Sequence, residues 1–80
     1  MGDVEQAITL IEDILNDHGV PRNVKSSIER TMEHLENEDD DVKISTLIGV
    51  LDEASNDPNL SLYARTKIWD VVSKLEELNK

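Results

Sequence analysis

Eighty residues make one domain, near the lower limit for a chain that builds a core without disulfides or metals. With 18 acidic and 8 basic residues the formal net charge is −10, and no Lys or Arg stands beside another, so phosphate backbones and anionic lipid surfaces are repelled. No Cys is present, which excludes thiolate metal sites; no basic region precedes the apolar residues of MGDVEQAI, and no apolar run reaches membrane-span length, so a cytoplasmic protein without a membrane partner is expected.

The first predicted helix, about 3–16, carries Val4, Ala7, Ile8, Ile11, Ile14 and Leu15 at the three-and-four spacing of one face. Residues 16–20 break the pattern, with Gly19 suited to a left-handed position after a helix and Pro21 suited to the start of the next. Helix two, about 21–36, has the stripe Val24, Ile28, Met32 and Leu35. The acidic run from Glu36 to Asp41 reads as a polar hinge, in which Asp40 or Asp41 caps helix three.

Helix three, about 41–56, carries Ile44, Leu47, Ile48, Leu51 and Ala54. Gly49 inside it costs roughly 1 kcal/mol against Ala and marks a close helix contact. Pro58 and the polar residues 56–61 form the second break, with Ser61 as the cap of helix four, about 61–78. That last helix has the stripe Ala64, Ile68, Val71, Val72, Leu75 and Leu78, and an Asp70 to Lys74 pair at favourable four-residue spacing.

The four helices fall into two units offset by 40 residues. Ile8, Asn16, Asp17, Ile28, Leu35 and Glu36 recur as Ile48, Asn56, Asp57, Ile68, Leu75 and Glu76. Val4, Ala7, Leu10, Ile11, Ile14, Val20, Val24 and Met32 also meet apolar residues at that offset. The expected fold is therefore all-α: an up-down antiparallel four-helix bundle of two helical hairpins in a single domain, 1–80. A stack of two HEAT-like hairpins is less economical, because it leaves apolar end faces uncovered.

No motif points to an enzyme. A di-iron site needs Glu three residues before His on two helices, but Leu15 precedes His18 and Thr31 precedes His34 at that spacing. The acidic hinge lacks the alternating Asp pattern and glycine of a calcium loop, and Gly2, Gly19 and Gly49 are isolated, so no phosphate loop exists. No cofactor is expected. One alternative stays open: Asn16, Asp17, Asn56 and Asp57 fall at the same end of an up-down bundle and, with His18, offer oxygen and nitrogen donors to a divalent metal.

The chain's only Tyr and only Trp, Tyr63 and Trp69, lie in helix four. At the 40-residue offset Leu62, Tyr63 and Trp69 replace the polar residues Arg22, Asn23 and Glu29. At about 100° per residue Leu62 and Trp69 share a line well off the core stripe, and Arg65 is placed to lay its guanidinium over the indole. One reading tucks the aromatics against a neighbouring helix. The other makes Leu62, Arg65 and Trp69 a contact surface for a second copy or another protein, and the acidity admits a basic ribosomal or nucleic-acid-binding protein as partner, without direct nucleic-acid contact.

VPRNVK at residues 20–25 and SNDPNLSLYARTKIWDVVSKLE at residues 55–76 resemble the signature of a small, acidic, uncharacterised protein family of archaea. The resemblance spans nearly the whole chain and is most specific in its C-terminal half. It implies a compact four-helix bundle and carries no assigned activity, ligand or partner.

Overall fold

The computed structural model describes residues 3–79, which form four α-helices and no strand. They are α1, Asp3–Leu15; α2, Arg22–His34; α3, Asp40–Ala54; and α4, Leu62–Leu78. Each predicted stripe becomes a buried face: Ala7, Ile11 and Ile14 from α1, Val24 and Ile28 from α2, Ile44, Leu47 and Leu51 from α3, and Ala64, Ile68, Val71 and Leu75 from α4. Val20 and Leu60, in the turns after α1 and α3, close one end of the same core, and Leu35 adds to it just beyond α2.

Helix directions alternate. The turn after α1 and the turn after α3 meet, since the Ser61 amide donates to the Gly19 carbonyl at 3.3 Å. At the opposite end Val4, Leu35, Glu36 and Lys43 line one groove, and Asp41, Val42 and Asn79 line another. Within this up-down arrangement α4 packs on α3 and α1, and α3 packs on α2 and α1. The first hairpin is splayed, because α1 and α2 share no more than a marginal contact. A groove of about 140 Å³ opens there over Val4, Ile8, Met32 and Leu35.

Positions 40 residues apart play matching parts. Ala7 and Leu47, Ile11 and Leu51, Val20 and Leu60, Val24 and Ala64, Ile28 and Ile68, and Leu35 and Leu75 are all buried. The Asp17 carboxylate accepts from the Gly19 amide at 2.7 Å, and the Asp57 carboxylate accepts from the Asn59 amide at 2.8 Å, the same turn-closing bond in each half.

Several local expectations need correction. α3 starts at Asp40 with Asp39 in the cap position, and no side chain caps it; Asp40 and Asp41 lie in the first turn, where their charge meets the helix dipole. Gly19 has no positive φ. It is there for space, because a Cβ at Gly19 would collide with the Ser61 hydroxyl and stand 3.3 Å from Ser61 Cβ. Gly49 marks no close contact, since a Cβ there would meet nothing within 4 Å. Ser61 does cap α4, accepting from the Ala64 amide at 3.0 Å, and Lys74 pairs with Asp70 at 3.1 Å.

Candidate functional site

Two features compete for a functional role: the polar network where the two turns meet, and the outer face of α4. The network is built from α4 inward. Lys67 Nζ lies 3.0 Å from the Asp17 carboxylate and 3.4 Å from that of Asp13, and thereby ties α4 to α1 and its turn. The Gly19 amide and then the Lys67 ammonium hold the Asp17 carboxyl below its ordinary pKa, and the bond to Asp17 raises that of Lys67. In the other half Asn23 on α2 donates to the Asp57 carboxylate at 3.1 Å. Each turn aspartate is thus held by a second-helix side chain from the opposite unit.

Arg65 completes this network. Its Nε donates to the Ser55 carbonyl and its Nη2 to the Asp57 carbonyl, both at 3.1 Å. Ser55 caps the end of α3, where carbonyls lack intrahelical partners, Asp57 lies in the turn beyond, and a planar guanidinium serves both acceptors at once. The expected stacking of Arg65 on the indole is therefore overturned, for its guanidinium is turned to the end of α3. The cation held over a ring is Lys67, 5.4 Å from the centre of Tyr63.

The proposed convergence of loop donors on a metal is also not what the fold builds. Asp17 turns to Gly19 and Lys67, Asp57 turns to Asn59 and Asn23, and Asn56 reaches back to the Asp52 carbonyl. Among the described residues no group of three or more His, Asp or Glu side chains is placed to hold a metal ion.

The outer face of α4 has the opposite character. Leu62 is 74% exposed, Tyr63 70% and Trp69 52%, although a large apolar side chain usually finds cover in a helical protein this size. Leu62 and Trp69 lie two turns apart on one line with Thr66 between them, and Tyr63 adjoins Leu62 at the start of the helix. Aromatic side chains carry about 150–250 Å² each, so the two rings alone present on the order of 250 Å², and Leu62 brings the patch into the range of the largest patches on monomers. Of the three expected contact residues the structure keeps Leu62 and Trp69 together and assigns Arg65 elsewhere.

In the sequence Lys67 and Ser55 drew no notice and Asn23 stood out only as the counterpart of Tyr63, though one signal was present. At the 40-residue offset Lys67 replaces Ser27, a change from a small hydroxyl to a cation as large as those that flagged Leu62 and Trp69.

Residues 2–78 match the profile of an uncharacterised protein family, UPF0147. The chain belongs to this family. The UPF0147 protein of Methanothermobacter thermautotrophicus is 42% identical over 73 residues, spanning 89% of this chain and 72% of its own length. That of Methanocaldococcus jannaschii is 44% identical over 71 residues, spanning 86% and 76%. A crystal structure of a UPF0147 protein from Thermoplasma acidophilum shares the fold with a TM-score of 0.77 at 34% identity, covering 94% of this chain and 91% of that one. The expected membership of an uncharacterised archaeal family, over nearly the whole chain, is therefore correct, and the family brings a fold with no assigned activity. Among the described residues no helix is long and apolar enough to cross a membrane.

Proposed function

We propose that this chain is a non-enzymatic interaction protein of the cytoplasm that engages a protein partner through the outer face of α4. The observation that carries the reading is the exposure of Leu62, Tyr63 and Trp69 on one helix, at positions where the other half of the chain carries Arg22, Asn23 and Glu29. Buried aromatic anchors dominate the energetics of protein interfaces, and a fold gains nothing internally from leaving such residues in water. The polar side chains support the same reading, because those gathered in one place close turns and cap helix ends.

Site-specific photo-cross-linking in cells tests it. A benzophenone side chain at position 66, between Leu62 and Trp69, is expected to trap discrete partner bands that vanish in Leu62→Ala and Trp69→Ala, whereas the same probe at position 26, its counterpart on α2, traps none of them. Bands that persist in both variants reject this face. Steady-state fluorescence gives a second check: the isolated chain should show a solvent-shifted Trp69 emission that acrylamide quenches readily, and an emission typical of a fully buried indole removes the premise.

A further inference from the structure

Resting on that reading, we infer that the partner presents a basic amphipathic segment: an aliphatic anchor that lies on Leu62 and Trp69, flanked by Lys or Arg that meet the carboxylates around them. The argument is the placement of charge rather than the total. α1, one of the two helices that flank α4, contains Glu5, Glu12 and Asp13 and no Lys or Arg. α3, on the other side, contains Asp40, Asp41, Asp52 and Glu53 against the single cation Lys43.

The cations of α4 itself are already engaged. Lys67 is held by Asp13 and Asp17, Lys74 by Asp70, and Arg65 by the Ser55 and Asp57 carbonyls. Glu76 and Glu77, beyond Trp69 on the same helix, have no ion pair among the described residues. Arg22, Lys25 and Arg30 stand on α2, which packs on α3 and has no more than a marginal contact with α4. The aromatic face thus belongs to a helix set in a net acidic field, with Lys67 and Lys74 paired to carboxylates and only Arg65, bonded to neutral carbonyls, keeping its charge uncompensated.

That field selects among occupants. A second copy would bring another −10 to the contact, so like charges would oppose each other across the patch. A basic segment gains twice: its apolar side covers Leu62 and Trp69, and its cations meet the carboxylates of α4 and its flanking helices and the indole face. Such a pairing forms faster at low ionic strength and weakens as salt screens it.

Fluorescence anisotropy of labelled peptides tests this with the full chain. Three helical peptides share one Leu and Ala face and carry Lys, Gln or Glu on the other. The Lys peptide is expected to bind, to lose at least about tenfold in affinity between about 50 mM and about 0.5 M salt, and to weaken at least tenfold with Leu62→Ala or Trp69→Ala. The double change Glu76→Gln with Glu77→Gln should weaken it several-fold, with circular dichroism confirming that each variant is folded. Equal affinity for the Gln peptide, or failure of the Lys peptide to bind, overturns the basic partner while leaving the α4 cross-links, and hence the proposed function, intact. Lys-peptide binding indifferent to Leu62 and Trp69 overturns the site. A concentration-dependent dimer in sedimentation, abolished by Trp69→Ala, puts a second copy in the partner's place.

Discussion

Gly19→Ala isolates the joint between the two turns. Gly19 takes no positive φ, so alanine there reduces the freedom of the unfolded chain, and at a site with room this change stabilises by about 0.4–1 kcal/mol. Here the new Cβ would collide with the Ser61 hydroxyl and sit 3.1 Å from Asp17 Oδ1. Relief requires the hydroxyl to leave the Ala64 amide it caps, a loss of about 1 kcal/mol, and stretches the Ser61 to Gly19 backbone bond, worth about another 1 kcal/mol. Set against the entropic gain, the net cost is about 1–2 kcal/mol, which lowers the melting temperature of a domain this size by roughly 5–15 °C. Thermal and urea unfolding followed by circular dichroism at 222 nm measures it. The decisive comparison is the Ser61→Gly background, itself weaker by only a few tenths of a kcal/mol. With the hydroxyl and its Cβ gone, only the 3.1 Å approach to Asp17 Oδ1 remains, so most of the Gly19→Ala loss should disappear. An equal loss in both backgrounds would refute the collision.

Gly49→Ala should raise stability by about 1 kcal/mol in the same assay, because the position is helical and a Cβ there meets nothing. Arg65→Lys should lose the two-acceptor clasp on the end of α3, at a cost of about 1 kcal/mol, yet leave cross-linking from position 66 unchanged. Asp17→Asn should be less stable than the parent at neutral pH, with the gap closing as pH falls below about 4. The sign follows from a folded carboxyl held below its ordinary pKa: the unfolded chain takes up the proton first, so acid removes a stabilisation that Asn never had. Lys67, raised in the folded state, contributes in the opposite window, so its share is retained up to its ordinary pKa near 10.4 and is lost as pH rises through the higher folded value.

The helices and their inward faces were legible because burial is periodic. Val24, Ile28, Ile68 and Leu75 could face only one way once the three-and-four spacing was recognised. Periodicity fixes the direction in which a side chain leaves its helix, and so it placed Leu62 and Trp69 correctly outside the core. It does not fix where a long side chain ends. Arg65 leaves α4 on the side toward Trp69, but the Ser55 carbonyl at the end of α3 and the Asp57 carbonyl in the turn beyond it compete for its guanidinium, and their positions depend on tertiary packing. Helix ends were displaced for a related reason: His34 and Ala54, rather than residues 36 and 56, end α2 and α3 because terminal turns follow local hydrogen bonding as much as pattern. Both glycines were misjudged because composition tells nothing of neighbours. Gly19 is crowded by a residue 42 positions away, and Gly49 by none.

The start of α1, the residue after α4 and the hinge share one pole of the molecule, Val4 beside Leu35 and Glu36, and Asn79 beside Asp41 and Val42. The closely fitted joint of Gly19 and Ser61 occupies the other pole. This geography predicts that the order of the two halves is interchangeable. A circular permutant opened at residue 38 and closed by a short Gly and Ser linker between residues 79 and 4 should fold with α3 and α4 leading, its melting temperature close to the parent's. Opening the ring at residue 18 or 59 instead should cost most of the stability, because both cuts fall within the turns that lock the halves in register.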